Sequence, residues 1–322
     1  MPSDIRDTDS DSNTHDARDT DRTGDTAPAD ESTTLSRRRL LGTAAATGTA
    51  GLAGCSAPLV QVRTTTDTVE REFDTADVSR IRVGDADAAV AFERTDGDTV
   101  RVRAHKRARG STEVDELELR SRVEGGALYL GTHEPPVVGI GGGSVDLAVF
   151  VPGEVAVDRV RTDDGSVTLR GVSGDPTVET GDGDVVASDV RGDLDAATED
   201  GDVTVERTTG VVAARSDDGD VLVRAPGSIG DLRTGDGDVT AEIPVVDGPA
   251  TVRSRDGDVT AEIGEALDAT IDATTGDGNV TATGIGTVET VTDTHVAGTL
   301  GEGTDELRVH TDDGDVTLTS LS

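Results

Sequence analysis

Tryptophan is absent from this 322-residue chain, and cysteine, methionine, tyrosine and lysine occur once each. Three phenylalanines complete an aromatic content of 1%, too little to line a long sugar-stacking groove of the kind β-helical polysaccharide enzymes use. A single cysteine excludes a fold stapled by disulfides, which needs an even set. Basic residues are scarce: 29 Lys and Arg stand against 65 Asp and Glu, a net charge of −36. That balance argues against a nucleic-acid partner, because phosphate recognition needs a clustered cationic surface. The longest apolar stretch, residues 40–54, is rich in Gly and Thr and falls short of the ~20 apolar residues of a membrane span. The acid-rich, lysine-poor composition resembles proteins of salt-loving archaea, in which concentrated salt screens self-repulsion.

The chain does contain a sharply ordered N-terminal series. Residues 1–34 carry ten acidic residues against three Arg, with Ile5 as the one large aliphatic before Leu35, so this acidic leader is expected to be disordered. Residues 35–55, LSRRRLLGTAAATGTAGLAGC, follow the order of an export signal: an arginine cluster, a weakly apolar run, then small residues. SRRRLLG resembles a twin-arginine motif with Arg37 and Arg38 as the pair, and LAGC resembles a lipobox that would acylate Cys55. Cys55 is therefore read as a lipid anchor rather than a nucleophile or metal ligand. Residues 56–72 read as a polar tether.

From Phe73 onward the apolar residues alternate with period two, the signature of half-buried strands. Residues 73–150 form an N-terminal strand-rich capping region that holds all four aromatics, Phe73, Phe92, Tyr129 and Phe150. Residues 151–322 repeat a phrase of the form T-x-D-G-D-V, with its Gly at 165, 183, 201, 219, 237, 257, 278 and 314. THVAG near Asp293 fits a worn copy, which brings the total to about nine coils. A weaker Gly half a coil later, at 174, 192, 210, 230 and 248, divides each coil into two strands. With no aromatics, the core must be thin layers of Val, Leu, Ile, Ala and Thr. The predicted fold is all-β: a parallel β-solenoid whose coils stack along one axis.

The repeated corner raises the question of a site. On the simpler reading, Gly gives the corner positive φ, Asp bonds the turned backbone and the preceding Thr or Ser caps it or stacks in an inward ladder. On the functional reading, stacking at about 4.8 Å aligns Asp182, Asp200, Asp218, Asp236 and Asp256 in one row and Asp184, Asp202, Asp220, Asp238 and Asp258 in another. Such rows repel unless Ca²⁺, monovalent cations or salt neutralise them. The pattern lacks the spacing of calcium-binding nonapeptide repeats. His105, His133, His295 and His310 have no partner at metal-ligand spacing. GIGGGS at 139–144 lacks the Lys of a phosphate loop and reads as a connector. No cofactor and no catalytic residue is indicated. HKRARG, residues 105–110, is expected to pair with local carboxylates.

Residues 145–203, VDLAVFVPGEVAVDRVRTDDGSV and the coils after it, resemble the DUF4097 family of adhesin-like proteins, in which a V-P step leads into G-D-V coils. The resemblance extends over roughly residues 73–318. It implies a surface-exposed β-helical protein with no assigned reaction. The reading is thus a lipid-anchored scaffold on the outer face of the membrane, adhesin-like or envelope-organising and non-catalytic, with a surface protein or polysaccharide as partner. A β-helical polysaccharide-acting enzyme and a cation-binding or sensory module are the rival readings. Changing Arg37 and Arg38 together to Lys is expected to trap precursor inside the cell. Cys55→Ser should yield exported protein without lipid. Fractionation with mass spectrometry checks both, and lipid on the Cys55→Ser protein would refute the assignment.

Overall fold

The computed structural model describes residues 63–136, 141–286 and 288–321. Two long sheets face each other across a thin core, with twelve strands in the first and thirteen in the second. The one helical turn among the described residues is the short 3-10 segment Val114–Glu116, and no described helix is long and apolar enough to cross a membrane. Each coil places one strand in the second sheet, turns at the Gly-Asp corner, and places the next strand in the first sheet. Thr177–Glu179 with Val185–Ser188 is one such coil, and Leu194–Ala197 with Val203–Glu206 is the next, in parallel register.

Register turns the period-two pattern into columns. Val90, Val167, Val185, Val203, Val221, Val239, Val259, Val316 and Val280 stand directly above one another in the first sheet, all buried. Val160, Val178, Ala196, Ala214, Leu232, Val252, Val309 and Ala273 answer them in the second. β-Branched residues fit this pleated, half-buried surface, and like stacks on like because the parallel ladder has no stagger. The expected solenoid with a core free of large aromatics is what the repeats build. Phe92, the one fully buried aromatic, lies near its N-terminal end.

Two expectations are corrected at the ends of the stack. The first coil lies within the segment assigned to the cap: Arg80–Ala86 and Val90–Thr95 stack in parallel on Ala156–Thr162 and Val167–Arg170. Ala88 takes its corner position, hidden from the sequence pattern because Ala replaces Gly and no D-G-D-V surrounds it. A further parallel coil, Ala127–His133 with Gly141–Pro152, covers the other side of it. Gly141–Ser144 therefore belong to a strand rather than a connector. At the far end, the copy expected around Asp293 is no coil. His295–Leu300 runs antiparallel to Ala269–Asp277 and, with Val288–Val291, closes the second sheet. Asp305–Asp313 and Val316–Ser320, last in sequence, then lie between the coil of residues 250–263 and the coil of residues 269–283. Nine corners still stack, but Ala88 supplies the one that Asp293 does not.

The reason for glycine at the corner also differs from expectation. No corner glycine has φ in the left-handed region. The constraint is proximity: a Cβ on Gly201 would lie under 3.0 Å from the carbonyl of Gly183, and the same holds up the column. Positive φ belongs to the half-coil bend, as at Gly174, Gly192 and Gly248. Adding a methyl at the corner is overpacking, which costs typically about 1–3 kcal/mol, so Gly201→Ala should lower the denaturation midpoint. Thr208 offers the opposite test. It stands in the inward column of Val172 and Val190, and its Oγ1 is buried without a partner. Because an unsatisfied buried hydroxyl costs roughly 1–3 kcal/mol, Thr208→Val should raise the midpoint. An unchanged midpoint in both variants would refute this account of the packing.

Candidate functional site

The corner residues form three columns with separate tasks. Innermost, Thr162, Thr180, Thr198, Ser216, Thr234, Ser254, Thr311 and Thr275 are buried. Each hydroxyl beyond the first reaches down to the corner carbonyl of the preceding coil: Thr198 to Gly183 at 2.8 Å, Ser216 to Gly201 at 2.8 Å and Thr234 to Gly219 at 2.6 Å. The same oxygens accept the N–H of their own corner glycine in several coils, as Ser216 does from Gly219 at 2.8 Å. The expected inward ladder is thus the link between coils.

The second column is Asp184, Asp202, Asp220, Asp238 and Asp258, continued by Asp315. The Oδ1 of each accepts the backbone N–H of the residue stacked on it: Asp202 to Asp184 at 3.1 Å, Asp220 to Asp202 at 2.9 Å, Asp238 to Asp220 at 2.8 Å and Asp258 to Asp238 at 2.7 Å. Unit charges 4 Å apart repel by about 1 kcal/mol in water, whereas a hydrogen bond to a charged group contributes roughly 1.5–3 kcal/mol. The amide ladder therefore outweighs the repulsion of the row. The third column, Asp182, Asp200, Asp218, Asp236 and Asp256, is exposed. Asp236 pairs with Arg255 at 2.5 Å, and Asp256 meets the same guanidinium at 3.8 Å. The acids thus stand in lines rather than cages, and among the described residues no three His, Cys, Asp or Glu side chains converge as a metal-holding group. Arg37, Arg38 and Cys55 lie outside the described residues.

Sequence reasoning passed over an arginine shelf at the N-terminal end of the second sheet. Register places Arg122, Tyr129, Arg82 and Arg159 side by side on four adjacent strands. The Arg122 guanidinium lies 4.6 Å above the Tyr129 ring. Beside this row, Gly84 and Gly131 leave the sheet bare, and Arg120 borders the resulting hollow of about 510 Å³. Four arginines line it, with no carboxylate among the described residues of its wall. Two are already engaged: Arg82 with Asp158 at 2.6 Å and Arg159 with Glu179 at 2.8 Å. Arg120 and Arg122 meet only exposed carboxylates, Glu118 at 3.8 Å and Glu124 at 3.9 Å, contacts of little energetic weight. Arg82 stands 47 residues from Tyr129 and 77 from Arg159 in sequence, its two register partners, so no local motif could reveal the cluster.

A second concavity runs along the stack beside the corners, over Arg161, Glu179, Ala197, Arg215 and on to Arg253. Here every arginine has a close acid, as in Arg215 with Asp217 at 2.5 Å and Arg253 with Asp312 at 2.6 Å. The patch at 105–110 behaves as expected in part, with Arg107 3.6 Å from Asp146, while Lys106 turns inward and is buried. His295 and His310 bond Asp272 and Asp312, each at 2.9 Å.

Residues 78–319 match the family described as Toastrack DUF4097. The chain belongs to the Toastrack DUF4097 family. No curated protein matches it. Among solved structures, a "putative cell adhesion protein" of Clostridium sporogenes is 9% identical, with a TM-score of 0.29, over 80% of this chain and 100% of that one. A "putative adhesin" of Bacteroides fragilis is 12% identical, with a TM-score of 0.42, over 78% and 97%. In this Toastrack chain the family span covers the two-sheet stack apart from its first strand, Thr64–Asp74.

Glu134 is the one described carboxyl held above its ordinary range. Burial is the main cause, followed by the charge of Asp87, with Asp146 and Asp164 adding to it, while the Val145 N–H, 3.1 Å from Oε1, acts the other way. A raised folded-state value means a contribution present below the ordinary Glu range and lost as pH rises through the folded value. Glu134→Gln keeps the acceptor without the charge. It should melt higher than the parent at neutral pH, and the difference should vanish below the ordinary Glu range. Thermal scans against pH check this, and a gain that persists in acid would refute the charge explanation.

Proposed function

We propose that this Toastrack chain is a non-catalytic interaction scaffold, held on the outer face of the cell membrane by lipid on Cys55, that engages anionic polysaccharide through the arginine shelf. The observation that carries the reading is the shelf itself: four guanidiniums and, among the described residues, no carboxylate in its lining, in a chain of net charge −36. In so acidic a protein, a local concentration of arginine selects for negative partners. Arg forks bind carboxylate or sulfate groups bidentately. The Tyr129 ring and the bare glycine floor supply a flat face on which a sugar ring can lie. The scaffold reading is favoured over the polysaccharide-acting enzyme because the acids recur alike from coil to coil, and the row from Asp184 to Asp258 serves backbone amides. The export signal and lipobox-like segment support display at the surface.

The test uses exported Cys55→Ser protein in concentrated salt, with polygalacturonate and dextran as probes. Polygalacturonate should bind and dextran should not. Arg120→Gln with Arg122→Gln should weaken binding tenfold or more, about 1.4 kcal/mol or more, while Arg215→Gln with Arg253→Gln in the axial concavity should leave it unchanged. Equal binding of both polymers, or an unaltered Kd in the shelf variant, would overturn the assignment.

A further inference from the structure

The last coil in sequence lies inside the stack, and this placement has a consequence independent of the surface reading. After residues 250–263 the chain passes over one coil position, builds the coil of residues 269–283, folds back through the strands Val288–Val291 and His295–Leu300, and only then fills the gap with residues 305–320. The filled position is complete on both sides. Thr311 donates to the Gly257 carbonyl at 2.8 Å, and Thr275 donates to that of Gly314 at 2.7 Å. The N–H of Asp315 reaches Asp258 at 2.8 Å, and that of Asn279 reaches Asp315 at 2.8 Å. Leu307, Val309, Val316 and Leu318 are buried. Without this segment, both sheets would be split and would present unpaired parallel edges to solvent.

The connection to it is slight. Leu300 and Asp305 flank Ala269 on opposite sides, so residues 301–304 hop over the start of that strand. Gly301 and Gly303 take φ of 62° and 73°. The Asp268 carboxylate fastens the hop, with Oδ1 accepting N–H bonds from Glu302 and Gly303 at 2.7 Å each and Oδ2 accepting the Thr304 hydroxyl at 2.9 Å. Nothing in the gap distinguishes a segment delivered by its own chain from one delivered by another.

We propose that the coil of residues 305–320 is exchanged between two copies of this chain, each donating its C-terminal coil to the gap of the other. The exchange reproduces every contact inside the stack and changes only the hop, so the balance is set by the hinge and by local concentration. Strand donation into a split sheet follows the same physics. The coil of residues 80–95 is also enclosed by later coils but is tethered at both ends by described strands, whereas the coil of residues 305–320 is joined to the described stack through the hop.

The test places one cysteine on each of two copies in a Cys55→Ser background. Thr260 and Thr317 are outward-facing register partners on adjacent strands, within reach of a disulfide. Copies carrying Thr260→Cys and Thr317→Cys are mixed, unfolded, refolded together in concentrated salt and oxidised. Disulfide-linked dimer should exceed that formed between Thr204→Cys and Thr317→Cys copies by roughly tenfold or more and should rise with protein concentration. A chain carrying both Thr260→Cys and Thr317→Cys should close the bond within itself, showing that the pair is competent. Equal linkage in the Thr204→Cys control would mark random collision and overturn the proposal. So would the lack of interchain linkage at any concentration while the intrachain bond closes.

Discussion

The close approach of successive corners governs the rest of this structure. Coils hydrogen-bonded along an axis sit about 4.8 Å apart, and at the bend that distance leaves no room for a side chain between one backbone and the next. Glycine meets the steric demand, and the hydroxyl before it joins two coils by donating to the carbonyl below. Aspartate after it serves the next amide above. Thr, Gly and Asp are thus three answers to one geometric condition. Their strict recurrence reflects the backbone's need for partners at a bend where sheet hydrogen bonding is interrupted.

This explains which features of the fold were legible in the sequence. The Val columns at 185, 203, 221 and 239 could be read because a parallel stack without stagger copies each position into the next coil. The ends could not be read that way. Ala88 occupies a corner without glycine because its neighbour below is the capping coil rather than another D-G-D-V turn. The segment near His295 looked like a worn coil because Asp293 and Val296 kept the spacing. Direction of pairing, which decides between coil and hairpin, leaves no mark on a period-two pattern.

The candidate site was less legible for a different reason. Repetition drew attention to two Asp rows, of which the row from Asp184 to Asp258 accepts backbone amides and the row from Asp182 to Asp256 is exposed. The shelf consists of residues that are unremarkable in sequence: Arg120, Arg122 and Tyr129 share a local hairpin, and Arg82 joins them only through nonlocal pairing. Charge contrast makes it visible in three dimensions, since arginines of the neighbouring concavity sit 2.5–2.6 Å from an acid, as Arg215 and Arg253 do, whereas Arg120 and Arg122 meet theirs only at 3.8 and 3.9 Å.

Because the first and last coils in chain order are both enclosed by others, a repeat added next to either would enter the stack rather than extend its end. An extra coil appended beyond residue 322 would find the outer positions closed by the strands 288–291 and 295–300 on the second sheet, and one placed before residue 64 would meet the antiparallel strand Thr64–Asp74. A duplicated block of the middle repeats, by contrast, enters a stack whose neighbours already carry the matching hydroxyl, glycine and aspartate. Tandem duplication there adds about 4.8 Å per coil and leaves both closures and the arginine shelf intact, so length and recognition can vary independently in descent.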